Sequence, residues 1–404
     1  YDNTVPAGNL GYHDHALGIP RLNVYAGLAG FYFVRDTQDT GEAGNPLGLP
    51  AFPYELAYGI QDRMFSNKGD LFYPAFPGDP FYDDLITGEG AILPPDLFPD
   101  GGPTALAEFF GDHMLVNGRI WPREDVEPRH YRMRLLNGCD SRFMVLQFVA
   151  VNEGDTDFVN ASAPLPFWVI GSDQGLGTPR QTDALVSEPG GRYDIVFDFS
   201  DPALQGKRVI MRNIGGDEPF GGDIPGPQVF GETDRVMAFD VVVPMSGVPD
   251  NFDPNNLPDY DGVANGATTR RVALFEGTDE FGRLQPLLGT VADDLAGTNV
   301  ARAWTWFQPT TETPASGSTE VWEIYNFTAD AHPIHLHLVN FQILDRYDFE
   351  YDVTGMQTTL QHNGTTGQAP EISNIRNVTP ASVSGAYFEA APKDMVTSLP
   401  GDPE

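Results

Sequence analysis

The sequence predicts an all-β protein, and three observations carry that expectation. Glycine (44) and proline (35) are spread along the whole chain rather than gathered into repeats. Between them lie short runs rich in β-branched and aromatic residues, several alternating at period two as half-buried strands do. Helical windows are scarce, the best being a short one at Pro103–Phe110. Runs of strands divided by Gly/Pro turns read as sandwiches or barrels.

The strand candidates, in chain order, are LNVYAGLAGFYFV (22–34), RHYRMRLL (129–136), RYDIVFDF (192–199), RRVALF (270–275), TEVWEIYNF (319–327) and NFQIL (340–344). Two stretches between them read as linkers. Thr37–Pro53 is rich in Gly, Pro and Asp, and Pro244–Thr269 has hardly an apolar residue to anchor it. Cutting there leaves 1–36, a middle domain at 54–243 and a last domain at 270–404. A piece below roughly 40 residues rarely folds alone, so 1–36 is expected to be the end of a domain.

Composition excludes several function classes. The 404 residues carry 23 Lys+Arg against 57 Asp+Glu, a formal charge of −34. That argues against a nucleic-acid partner, whose phosphates demand a basic surface, and against an anionic membrane surface. No run approaches the roughly 20 apolar residues that span a bilayer. Only three of the cations are lysines (Lys68, Lys207 and Lys393). Self-repulsion on such a surface is screened within a few Å at molar salt, so the expectation is a secreted protein of a high-salt medium. Cys139 is the only cysteine, which excludes an intrachain disulfide and a cysteine-based zinc site. A small buried thiol is the expected role. Four sequons, at Asn160, Asn326, Asn363 and Asn377, are compatible with export.

Five of the eight histidines fall into two tight groups, His13-Asp14-His15 and His332-Pro333-Ile334-His335-Leu336-His337. In a strand, residues i and i+2 share a face. His13 and His15 can then offer two imidazoles to one metal site, and His335 and His337 likewise. His332, three residues before His335, faces the other way and so belongs to a second site. Imidazole alone suits copper, zinc, iron or nickel. His113, His130 and His362 stand isolated among polar neighbours and read as surface residues. Asp14 and Asp330 read as turn or imidazole-orienting acids, and no residue is assigned a catalytic acid or base role.

These segments resemble the three-domain multicopper oxidases, close to the bacterial branch of spore-coat laccase, bilirubin oxidase and phenoxazinone synthase. The likeness runs through YHDHALGIPRLNVYAGLAGFYFVRD (12–36), IQDRMF (60–65), GDHMLVNGRIWPREDVEPRHYRMRLLNG (111–138), FWVIGSDQGL (167–176), EPGGRYDIVFDFS (188–200), STEVWEIYNFTADAHPIHLHLVNFQILDR (318–346) and, faintly, PKDMV (392–396). It implies tandem cupredoxin-like Greek-key β-sandwiches, the first and third incomplete. It also implies copper: a type 1 centre that takes electrons from a phenol, an aromatic amine or a bilirubin-type substrate, and a trinuclear type 2/type 3 cluster that reduces dioxygen to water. By position in the motifs, His332 matches a type 1 ligand, His335 the type 2 ligand, and His337, His13 and His15 type 3 ligands. The family's earlier HxHG and final HCHxxxHxxxM do not occur in these 404 residues. The expectation is therefore part of a longer oxidase, inactive as this chain alone. The alternatives are a short chain completed by another polypeptide, and a copper-free binding relative.

Overall fold

The computed structural model describes residues 3, 5–264, 266, 268–381 and 387–403. Its regular structure is nearly all strand, and the sandwiches sit where the period-two runs place them. RHYRMRLL and RYDIVFDF become adjacent antiparallel strands, His130–Asn137 and Arg192–Asp198. They lie in an eight-stranded mixed sheet that also holds Glu55–Phe65, Phe167–Ser172 and Gly175–Thr182. A five-stranded sheet centred on Met144–Asn152 and Lys207–Asn213 completes the middle sandwich. Phe148, Phe167, Phe197, Phe199 and Phe239 are fully buried at its centre, and Phe148–Phe197 and Phe197–Phe199 ring centroids are each 4.5 Å apart. Large aromatic side chains dominate such a core through the area they remove from water.

RRVALF falls within Thr268–Thr278 and TEVWEIYNF supplies Glu320–Asn326, parallel neighbours in a seven-stranded sheet. That sheet also contains a long hairpin, Arg346–Leu360 with Thr366–Ala381. Beside it, the short strand His332–His335 pairs antiparallel with Met395–Ser398, so the histidine motif lies directly against the PKDMV segment. No helix among the described residues is long and apolar enough to cross a membrane.

Three local expectations are corrected. Pro103–Phe110 is not helical. Leu106 packs with Tyr82 and Ile86, whereas Phe109 packs with Tyr25 and Met64. Two separate pockets thus draw the segment out, and its donors find distant acceptors: Thr104 N bonds to Ala75 O at 3.1 Å and Phe109 N to Ser141 Oγ at 3.0 Å. In LNVYAGLAGFYFV only Ala29–Val34 is strand, while Pro20–Tyr25 is a short helix. Proline at its first turn is preset for helical φ, and Gly27, at φ 99°, follows its end. NFQIL forms only an isolated bridge, Phe341 to Lys393, because Gln342 turns to bond the backbone of Val263.

The two stretches read as linkers are pinned to the middle sandwich. Leu47 and Leu49 from the first meet Phe252 and Leu257 from the second over Ile170 and Val196. Asp39 is buried and accepts from Arg132 and Arg134. The N-terminal hairpin, Gly8–His13 with Ala29–Val34, lies on the same sandwich. A Cβ at Gly8 would stand 3.0 Å from Gln174 O, so glycine is what permits that close approach. Cys139 is a buried free thiol with its pKa pushed up by burial.

Candidate metal centre

Two histidine pairs 322 residues apart in sequence converge on one face. The strand Gly8–His13 delivers His13 at its last position, and His15 follows just beyond it. The strand His332–His335 likewise ends on His335, with His337 in the turn after it. Strand parity thus reaches only the first member of each pair; the strand-end turns bring the second alongside. Ring centroids are 5.4 Å apart for His13–His15, 4.7 Å for His335–His337 and 4.6 Å for His15–His337. His15 Nε2 and His337 Nε2 face one another at 3.2 Å. All four residues are solvent-exposed.

The far side of one ring in each pair is held by backbone. His13 Nδ1 lies 2.6 Å from Asp14 O, and His335 Nδ1 lies 2.9 Å from Asp394 O. Such contacts fix the tautomer and leave the other ring nitrogen free to ligate. The Asp394 carboxylate, 3.4 Å from His335 Nδ1, raises the His335 pKa. Burial, followed by the neighbouring imidazoles, lowers that of His337. Asp14 caps its own turn, accepting from Ala16 N at 3.3 Å and Asn23 Nδ2 at 3.0 Å.

His332 points elsewhere, as the odd offset requires. Its Nε2 is 2.8 Å from Thr328 Oγ1, 3.8 Å from Glu276 Oε1 and 3.9 Å from Asp330 Oδ1. The last two carboxylates and His332 place one ligand atom each within 4.8 Å of one another. Glu108 lines the same cavity. Burial and then the Asp330 charge push Glu108 up to about 8 and Glu276 up to about 7, and burial raises Asp330 as well. Carboxylates this close cannot all ionise without a proton or a cation between them. Sequence reading named Asp330 and missed Glu108 and Glu276, which come from remote segments with no motif around them.

The other three histidines lie apart from both groups. His113 bonds Asp112 at 2.6 Å and stacks on Trp121. His130 bonds Asp250 at 3.0 Å, and His362 rests on Phe307. The Asn326 sequon is fully buried, its amide donating to Asp330 O and Ser398 O.

The donor set fits copper in its imidazole share. Four converging rings with free nitrogens suit a borderline metal, and His332 offers a fifth ring to a separate site. Cys139 does not fit a thiolate ligand there: it is buried in the middle core, its amide bonded to Asn137 Oδ1 at 3.0 Å.

The multicopper oxidase family model matches residues 286–392. A laccase of Bacillus subtilis is 35% identical over 355 residues, covering 87% of this chain and 58% of that protein. A laccase of Haloferax volcanii is 32% identical, covering 83% of this chain and 48% of its own length. Multicopper oxidase LPR1 of Arabidopsis thaliana is 31% identical over 86% of this chain and 51% of that protein. Among solved structures, McoA multicopper oxidase of Aquifex aeolicus superposes with a TM-score of 0.55 at 22% identity, over 93% of this chain and 70% of its own. A Pediococcus acidilactici laccase gives 0.55 at 19% identity, over 98% and 62%. The fold and the histidine segments define a copper-protein architecture of tandem cupredoxin-like sandwiches. The chain belongs to the multicopper oxidase family, and its similarity runs to the bacterial laccases. It spans 58% of the length of the Bacillus subtilis relative.

Proposed function

We propose that this chain carries copper ligands of a laccase-like oxidase that couples one-electron oxidation of a small aromatic reductant to the reduction of dioxygen to water. In this reading His13, His15, His335 and His337 belong to the trinuclear type 2/type 3 site and His332 to type 1. The observation that carries it is the convergence of two distant histidine pairs while His332 turns away, one segment serving two sites. Copper would supply the one-electron steps. The chain's own residues hold the imidazoles: Asp14 O and Asp394 O orient His13 and His335, and Thr328 orients His332. A copper-free binding protein would have no use for four exposed imidazoles turned toward one another. Export into a high-salt medium belongs to the same proposal, supported by the charge of −34.

The test is a pair of variants in the copper-loaded oxidase. His335→Ala should abolish oxygen consumption and keep the blue absorption band, whereas His332→Ala should remove the band. Loss of the band in His335→Ala would overturn the two-site assignment.

One observation favours a second reading of the reductant. Glu108, Glu276 and Asp330 crowd the surroundings of His332, and carboxylates there attract a cationic electron donor, an aromatic ammonium or a low-valent metal ion, over an anionic one. Glu276→Gln would then raise KM for a cationic donor and leave that for a neutral phenol unchanged. Equal effects on both would end this reading.

A further inference from the structure

The middle sandwich holds none of the five histidines, yet one of its residues touches both the strand that ends at His13 and the residue whose carbonyl holds His335. Arg192 opens the strand Arg192–Asp198 and is 5% exposed. Its Nε donates to Asn9 O at 3.3 Å, on the strand that ends at His13. A Cβ at Gly11 would lie 3.6 Å from Arg192 Cδ, so this strand runs directly over the arginine stem. Asn9 returns a bond to the next residue, its Nδ2 donating to Tyr193 O at 3.4 Å.

On its other side Arg192 NH2 donates to Asp394 Oδ2 at 2.5 Å. Asp394 is the residue whose carbonyl accepts from His335 Nδ1. Asp173, fully buried, closes the frame. Its Oδ1 accepts from Arg192 N at 2.9 Å, and its Oδ2 from Asp394 N at 3.2 Å and Met395 N at 3.1 Å. The third guanidinium nitrogen, NH1, is tied to Gly190 O at 2.8 Å. The whole donor fork is therefore fixed in one plane.

We propose that Arg192 is a positioning residue that sets the distance and orientation between the His13/His15 pair and the His335/His337 pair. One rigid guanidinium reaches Asn9, on the strand that carries His13, and Asp394, whose carbonyl holds His335, from a domain that donates no imidazole. Arginine is required by geometry as well as charge. It presents donors in a planar fork, whereas a lysine ammonium is a single point at the end of a flexible stem. The inference rests on the reading that the four histidines take a metal.

Cu(II) alone, titrated into the metal-free protein and followed by calorimetry and electron paramagnetic resonance, tests it. Groups that orient metal ligands from behind change affinity by roughly 10–100-fold when removed. Arg192→Met should lose affinity in that range and shift the copper hyperfine splitting. Arg192→Lys keeps the charge and should fold, and it too should bind more weakly with an altered spectrum. Arg208→Met is the control: that arginine pairs with Asp240 in the opposite sheet, so its loss should lower resistance to urea and leave copper affinity unchanged. If Arg192→Lys binds Cu(II) with wild-type affinity and spectrum, the positioning role is overturned. If wild-type protein and His337→Ala bind alike, the metal reading of the histidines falls instead.

Discussion

Asp39→Asn probes how the N-terminal hairpin is anchored to the middle sandwich. The Asp39 carboxylate accepts from Arg132 NH1 at 2.9 Å and NH2 at 2.7 Å, and from Arg134 NH2 and Arg35 NH1 at 3.1 Å each. Arg35 directly follows the hairpin strand Ala29–Val34. Burial by itself would raise the Asp39 pKa, but the guanidiniums of Arg132, Arg134 and Arg35 outweigh it and hold the group well below the usual carboxylate range. Asparagine keeps the shape and turns an amide toward two buried cations. Removing one partner of a buried ion pair costs about 3–5 kcal/mol. Glu55 and Asp194 still face Arg132 and Arg134, so the lower end, about 3 kcal/mol, is expected. At about 2–4 °C per kcal/mol for a domain of this size, the transition of the middle domain should fall by roughly 6–12 °C at pH 7 in scanning calorimetry. A depressed carboxylate stabilises above its unfolded value of about 3.9 and loses that contribution as the pH falls toward its folded value. The gap between wild type and variant should therefore narrow below about pH 4. A shift under about 1 °C at pH 7, or a gap that widens on acidification, would refute the reasoning.

Two further outcomes are expected. Burial opposes the charged form of His130, but Asp250 and Asp198 favour it, and the group titrates high; its half-buried partner Asp250 is held low by that histidine. Asp250→Asn should thus cost on the order of 1 kcal/mol between about pH 4 and 6.5, a difference that fades as the pH rises through the folded value of His130; a constant difference from pH 5 to 9 in urea titrations would contradict it. Separately, dialysis from molar salt to about 10 mM lengthens screening from about 3 to about 30 Å, and the melting temperature should drop; an unchanged value would remove the salt-adapted reading.

The sequence made the all-β class legible because period-two alternation and Gly/Pro punctuation are local signals. RYDIVFDF and TEVWEIYNF carry their sheet assignment in strands of seven residues each. The long hairpin 346–381 was not legible, since its strands are largely polar and exposed, with Asp352, Thr354 and Glu371 at the surface. Pro103–Phe110 misled for the converse reason: its apolar spacing suits a helix, but Leu106 and Phe109 serve two different cores. At the site, HxH spacing revealed which imidazoles pair within a segment. Which segments meet is a tertiary matter, and so is the joining of Glu108 and Glu276 to Asp330. Arg192 carries no local sign at all; its role depends on Asn9 and Asp394, distant in sequence on either side.

The scarcity of lysine has a structural counterpart in the placement of arginine. Arg132, Arg134, Arg142 and Arg192 are buried, each paired with aspartate or glutamate inside the fold. Guanidinium tolerates such burial because it stays charged and divides its donors among several acceptors. Moving these cations inward leaves the exterior acidic without leaving the interior uncompensated. The two charge populations then answer to different conditions. Surface repulsion is relieved by salt within a Debye length, whereas the Arg192–Asp394–Asp173 frame, shielded from solvent, is not. Lowering the salt should therefore weaken the fold as a whole before it disturbs the spacing of the four histidines, because their mutual geometry is set by the population that ions in solution do not reach.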